Sequence, residues 1–136
     1  MTKQLTVFIE NKKGSLTEVT KILKDRGINI FSFSLADTEN FGLLRMVVTN
    51  PEEALKALKE NYFSVSITDV FVVSLKNEPG SLNKILSLIE HLDVQYMYMY
   101  ANRDDIAGAV FKISQKEEAI KIFEENGYEL IEANIE

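Results

Sequence analysis

Asn11-Lys12-Lys13-Gly14-Ser15-Leu16 and Asn77-Glu78-Pro79-Gly80-Ser81-Leu82 share the pattern Asn-x-x-Gly-Ser-Leu and lie 66 residues apart (77 − 11). Each follows an apolar run of strand character, Leu5-Thr6-Val7-Phe8-Ile9 in one case and Val70-Phe71-Val72-Val73-Ser74-Leu75 in the other. Each opens a helical pattern, Leu16/Val19/Leu23 and Leu82/Ile85/Leu86/Ile89. The stretch therefore reads as a strand-to-helix turn, with glycine where the backbone must bend or come close to something. The first amides of a helix lack partners within it and carry partial positive charge. Such a turn suits a carboxylate or a phosphate. The competing structural reading is a good helix start: Ser15 and Glu18 match the capping-box spacing, whereas the second turn has Lys84 at that place.

Moving outward, the two turns anchor a duplication. A shift of 66 residues pairs Leu5/Val7/Ile9 with Phe71/Val73/Leu75, Ile28 with Val94 and Gly42 with Gly108. Past the second hairpin the shift drops to 65, which sets Glu53-Ala54-Leu55-Lys56 on Glu118-Ala119-Ile120-Lys121 and Asn61 on Asn126. Each copy predicts a strand (4–10; 70–76), a helix (15–26; 81–92), a β-rich segment (28–35; 94–100) and a polar turn (37–40; 102–105). A return strand (43–48; 109–113), a second helix and a closing strand complete it, with Asn50 as cap and Pro51 at the first helical position in copy one. The order βαββαβ, twice, puts the helices on one face of an antiparallel sheet, an α+β fold. Domain boundaries at 1–69 and 70–136 follow, with almost no linker: Ser64 to Leu75 is one strand-like run without Gly or Pro. A bend at Thr68-Asp69, or strand exchange between the copies, is open.

Composition narrows the function. In 136 residues there are no cysteines, which leaves no disulfide or thiolate metal site. The formal charge of −6, with no Lys/Arg cluster, argues against a nucleic-acid partner. No apolar run approaches the roughly 20 residues of a membrane span, and no secretory leader is visible, so a cytoplasmic protein is expected. His91 is the only histidine, at a helix end where a cation complements the dipole. Tyr96/Tyr98/Tyr100 alternate with Met97/Met99, a period of two that sends one face to the helices and the other outward. No set of nucleophile, base and orienting group is readable, so catalysis, metal and cofactor are not expected. Asn11 and Asn77, ending their strands beside the turns, offer a donor and an acceptor for the ammonium of a small zwitterion, or serve as turn residues.

With these residues in view, the chain resembles the ACT domain family over 4–68 and 70–135, as a tandem pair without a catalytic domain. The resemblance implies two ferredoxin-like units and a non-catalytic sensor that binds a small amino acid at the interface between two ACT units. It implies ligand contacts from Asn11, Gly14, Ser15 and Leu16, and from Asn77, Gly80, Ser81 and Leu82, with the strand-two starts Asn29-Ile30 and Gln95-Tyr96 next. Lys13 where copy two has Pro79, and Asp93 where copy one has Gly27, set the equivalence of the two sites in question. A homodimer is expected, because short sheets leave pairable edges. The alternative is an interaction module, or a regulatory subunit of an amino-acid metabolic enzyme, with no ligand of its own.

Overall fold

The computed structural model describes residues 1–10, 12–101 and 106–134. The elements are β1 (Thr2–Glu10), α1 (Ser15–Asp25), β2 (Ile30–Asp37), β3 (Phe41–Val48), α2 (Pro51–Glu60) and β4 (Ser64–Lys76). They continue as α3 (Ser81–Leu88), β5 (Val94–Ala101), β6 (Ile106–Ile113), α4 (Lys116–Glu125) and β7 (Leu130–Ile131). The βαββαβ order appears twice, an α+β fold of two ferredoxin-like units, and β4 is a member of both.

The first compact unit holds Lys3–Asp69 together with Ala133 and Asn134. Its sheet runs β2-β3-β1-β4, with β3 antiparallel to both its neighbours. Period-two alternation in β1 sends Leu5, Val7 and Ile9 to one face, where Leu5 and Val7 lie opposite Met46 and Leu44. The apolar stripe of α1, Val19 and Leu23, and that of α2, Ala54 and Leu58, close over this row. Arg26 follows α1 and reaches α2, at 2.6 Å from Glu53 and 2.9 Å from Glu60. These pairs are largely exposed and add little to stability. Lys3 and Asp69 pair at 2.6 Å, and the carboxylate holds the ammonium above the ordinary lysine range. The Asn134 side chain accepts from Lys3 N at 2.7 Å and donates to Lys3 O at 3.0 Å and Val48 O at 2.8 Å.

The second unit holds Val70–Glu132 with Met1 and Thr2. Its strands run β5-β6-β4-β7, all antiparallel. Phe71, Val73, Phe111 and Ile113 meet Ile85, Ile89, Ala119 and Phe123 in its core, with Phe123 ring-packed on Phe71, Phe111 and Tyr128. Thr2 Oγ1 donates to Ile131 O at 3.1 Å. Met97 packs on this core, Met99 is exposed, and the three tyrosines of β5 are half-buried.

Several expectations shift. Residues Ser64–Lys76 form β4, one strand of 13 residues. Helix α3 stops at Leu88, so His91 sits in a turn beyond it, 3.4 Å from Glu118. Neither the capping box nor an Asn50 side-chain cap forms: Gly14 and Asn50 are the cap residues, both left-handed. The repeat register also differs. Ile30 opposes Val48 as Val94 opposes Ile113, so Val94 answers to Ile30, not to Ile28, and Asp93 to Asn29, not to Gly27. Gly42 lies opposite Ile9 and Ala107 opposite Leu75, so Gly42 answers to Ala107, not to Gly108. The causes are the shorter α3, 8 residues against 11 in α1, and a hairpin connection one residue longer between β5 and β6 than between β2 and β3, changes that repetition of residue types does not reveal. The expected turn at 102–105 lies outside the described residues.

Helix ends α2 and α4 are built alike. Asn61 and Asn126 each send a side-chain N–H back to a carbonyl four residues earlier, at 2.8 Å in both cases. The next two amides close the same turn: Tyr62 N to Lys59 O and Phe63 N to Leu58 O, against Gly127 N to Glu124 O and Tyr128 N to Phe123 O. This termination needs a left-handed residue, normally glycine. Gly127 supplies it at φ 79°, but in the first unit the residue is Tyr62, at φ 67°. Left-handed backbone costs an L-residue with a Cβ about 1–2 kcal/mol. The Tyr62 ring is 97% exposed and recovers no burial. Tyr62→Gly is therefore expected to stabilise the protein by about 0.5–1 kcal/mol once the added unfolded-chain entropy is subtracted, measured by urea unfolding.

Candidate functional site

Both Asn-x-x-Gly-Ser-Leu turns fold the same way. Gly14 has φ 88° and Gly80 φ 90°. A Cβ at either would meet nothing within 4 Å, so the glycine is required by backbone angle and not by close approach. Ser15 N bonds Lys12 O at 3.5 Å and Glu18 N bonds Gly14 O at 3.0 Å; Ser81 N to Glu78 O and Lys84 N to Gly80 O repeat them at 3.2 and 2.9 Å. Lys13 in place of Pro79 leaves the turn unchanged. A left-handed residue followed by helical ones aims successive N–H groups into one concavity, which favours an anion.

What differs is the serine. Helix α1 starts at Ser15 itself, one position later than a capping serine would stand, so its hydroxyl does not return to the helix amides. Ser15 is 3% exposed, and among the described residues its Oγ has no hydrogen-bond partner. A buried, unbonded hydroxyl costs about 1–3 kcal/mol. Two cavities of the first unit share this atom's residue. One, of about 460 Å³, lies over Gly14, Ser15 and Leu16 and is walled by Leu35, Ala36 and Asp37 of β2. The other, of about 420 Å³, lies beside it against Phe8, Phe41, Tyr62 and Phe63, with Glu10, Lys12 and Glu18 at its edge. Lys12 and Glu10 pair at 3.4 Å, both well exposed.

In the second unit Ser81 is half-buried, and its cavity, of about 310 Å³, is walled by Ser74, Lys76, Glu78 and Lys84. Of the expected site residues, Gly14, Ser15 and Leu16 come together. Asn11 lies outside the described residues. Asn77, Gly80 and Leu82 stay on the exposed turn, outside the lining of the Ser81 cavity. Asn29 and Ile30 do not line the cavities of their own unit: Asn29 N bonds Thr49 Oγ1 at 2.9 Å at the start of β2, whereas the turn meets that strand's other end. Gln95 bonds Ser114 Oγ at 2.8 Å at a bulge in β5, and Tyr96 pairs with Lys112. Sequence reasoning missed Leu35–Asp37, Phe8, Phe41 and Tyr62. The strand direction alone points to the first set, since β2 runs antiparallel to β3 and its last residues return beside the end of β1.

A family model described as an ACT domain pair matches residues 1–135. The chain belongs to the ACT domain family. A solved structure of protein BT0572 from Bacteroides thetaiotaomicron is 41% identical, covers 98% of this chain and 93% of that one, and superposes with a TM-score of 0.91. The regulatory subunits of aspartate kinase from Thermus thermophilus (15% identity, 93% of each chain, TM-score 0.71) and Thermus flavus (17%, 90% of each, 0.63) share the ACT-pair fold. A search of the curated proteins found no match. No helix among the described residues is long and apolar enough to cross a membrane.

The unbonded hydroxyl makes the first ACT turn testable without a ligand. Ser15→Ala is expected to raise the stability of the ligand-free protein by about 1 kcal/mol, since it removes a buried polar group that has no partner. Equilibrium urea unfolding reads this; a loss of similar size would show that the hydroxyl is bonded in solution.

Proposed function

We propose that the protein is a non-catalytic amino-acid sensor, binding a small α-amino acid at an interface between ACT units. The carboxylate sits on the amides that follow Gly14, and Ser15 Oγ supplies or receives the hydrogen bond it lacks. One observation carries this reading: a serine 3% exposed, without a partner among the described residues, at a helix N-terminus that two cavities border. Acidic groups at Glu10 and Glu18 stand near enough to the same cavity to meet an ammonium. Binding biases one arrangement of ACT units over another and so passes the signal to a partner. The shared fold with regulatory subunits of aspartate kinase supports an enzyme of amino-acid metabolism as that partner, and the formal charge of −6 speaks against nucleic acid.

A second reading has its own observation. Phe33 and Leu35 are 69% and 51% exposed on β2, an edge strand of the first unit, although they lie opposite the buried Met46 and Leu44. An apolar row on an unpaired edge favours pairing of two copies, or docking on an enzyme without any ligand.

Thermal unfolding against the twenty amino acids at millimolar concentration separates the two. A ligand at a hundredfold excess over Kd adds about 2.7 kcal/mol, a rise of several degrees in Tm. One or two hits are expected; a flat profile on a cooperatively melting protein would favour the docking module.

A further inference from the structure

The cavity beside the first turn is built from rings. Phe8 and Phe41 meet at 5.2 Å between centroids and 55° between planes, and Phe63 and Tyr62 complete the wall. Its volume, about 420 Å³, lies within the roughly 300–1,000 Å³ of small-molecule sites. The duplication provides an internal comparison. By the strand register Phe8 answers to Ser74, and by the helix-end hydrogen bonds Tyr62 answers to Gly127. The second unit's cavity is correspondingly smaller and more polar, with lysines 76 and 84 and Glu78 in its wall.

Tyr62 is the decisive residue. Its backbone angle suits glycine, which the other copy uses at the same place, and its ring is almost wholly exposed. Neither helix termination nor core packing calls for a tyrosine there. A bulky residue held left-handed without local gain points to a demand from function. Ser15, whose Oγ is buried without a partner among the described residues, borders the same cavity. Two local costs thus converge on one space, and one occupant relieves or uses both.

We infer that this cavity takes the side chain of a ring-bearing α-amino acid, with Tyr62 as the specificity residue that closes over the ring and Ser15 as the polar anchor. The inference rests on the sensor reading above and deepens it, with a ring-bearing amino acid in place of a small one. Rings attract one another edge-to-face beyond simple area burial, so a ligand ring adds to the Phe8–Phe41 pair where an aliphatic chain would only fill space. Selectivity belongs to the first unit; the polar second cavity does not share it.

The test is calorimetric titration of the full chain with L-phenylalanine, L-tryptophan, L-alanine and L-lysine, on wild type, Tyr62→Gly, Tyr62→Phe and Ser15→Ala. The wild type is expected to bind a ring-bearing amino acid at least tenfold tighter than alanine or lysine. Tyr62→Gly is expected to lose most of that preference while melting no lower than wild type, and Tyr62→Phe to retain it. Ser15→Ala is expected to weaken all amino acids alike. Equal affinity for phenylalanine and alanine in the wild type, or an unchanged preference in Tyr62→Gly, would overturn the ring pocket and leave the sensor standing. Binding of none of the four by the wild type, with no hit among the other amino acids, would remove the sensor and the ring pocket together.

Discussion

The reversal of the chain between β1 and α1 governs the rest of the first unit. Leu5, Val7 and Ile9 must face the helices to be buried, and α1 must lie back over that face to bury Val19 and Leu23. Only four positions separate Glu10 from Ser15, and the helix starts directly after a glycine at φ 88°. A left-handed residue turns the chain that sharply without a Cβ in the way. The same bend leaves the first helix amides pointing outward and carries the Ser15 side chain inward. The anion-binding character of the turn and the buried hydroxyl are thus two consequences of one backbone requirement.

The two copies show which parts of this arrangement the fold requires and which vary freely. Turn angles, the bonds that end α2 and α4, and the inward rows of the strands recur in both. Proline replaces lysine before the glycine, and α3 is shorter than α1, without disturbing the turn. The walls diverge: four aromatic residues among the lining in one copy, against Tyr128 alone in the other. A core tolerates little change in volume because it is close-packed, whereas cavity walls face no such constraint. Divergence after duplication therefore collects where ligands would sit.

Tyr62 shows how a stability cost marks a site. Among the described residues three helix ends close through a left-handed residue, and two of them use glycine, Gly27 and Gly127. The third carries an exposed aromatic side chain. Most positions in a folded chain agree with their local preference, and departures concentrate where function overrides it. Ser15 is a departure of a second kind, a polar group buried without a partner among the described residues, and it borders the same cavity as Tyr62.

The duplication, the βαββαβ order, the inward rows and the glycine turns are all present in the order of residues, because alternation, helical period and glycine's freedom are local properties. The repeat register near β2 and β3 was not readable, since two gaps of opposite sign, one at the end of the first helix and one in the hairpin, nearly cancel. Nor could sequence show that Ser15 stands at the first helical position and not at the cap; a shift of one residue turns a bonded capping hydroxyl into a buried free one. The ring cavity gathers residues 8, 41, 62 and 63 from three segments. Strand pairing alone brings Phe8 and Phe41 together, and the end of α2 alone places Tyr62 and Phe63 at the border of the same cavity. Local chemistry determined the elements and the turn; tertiary register decided which side chains face one space, because that depends on contacts far apart along the chain.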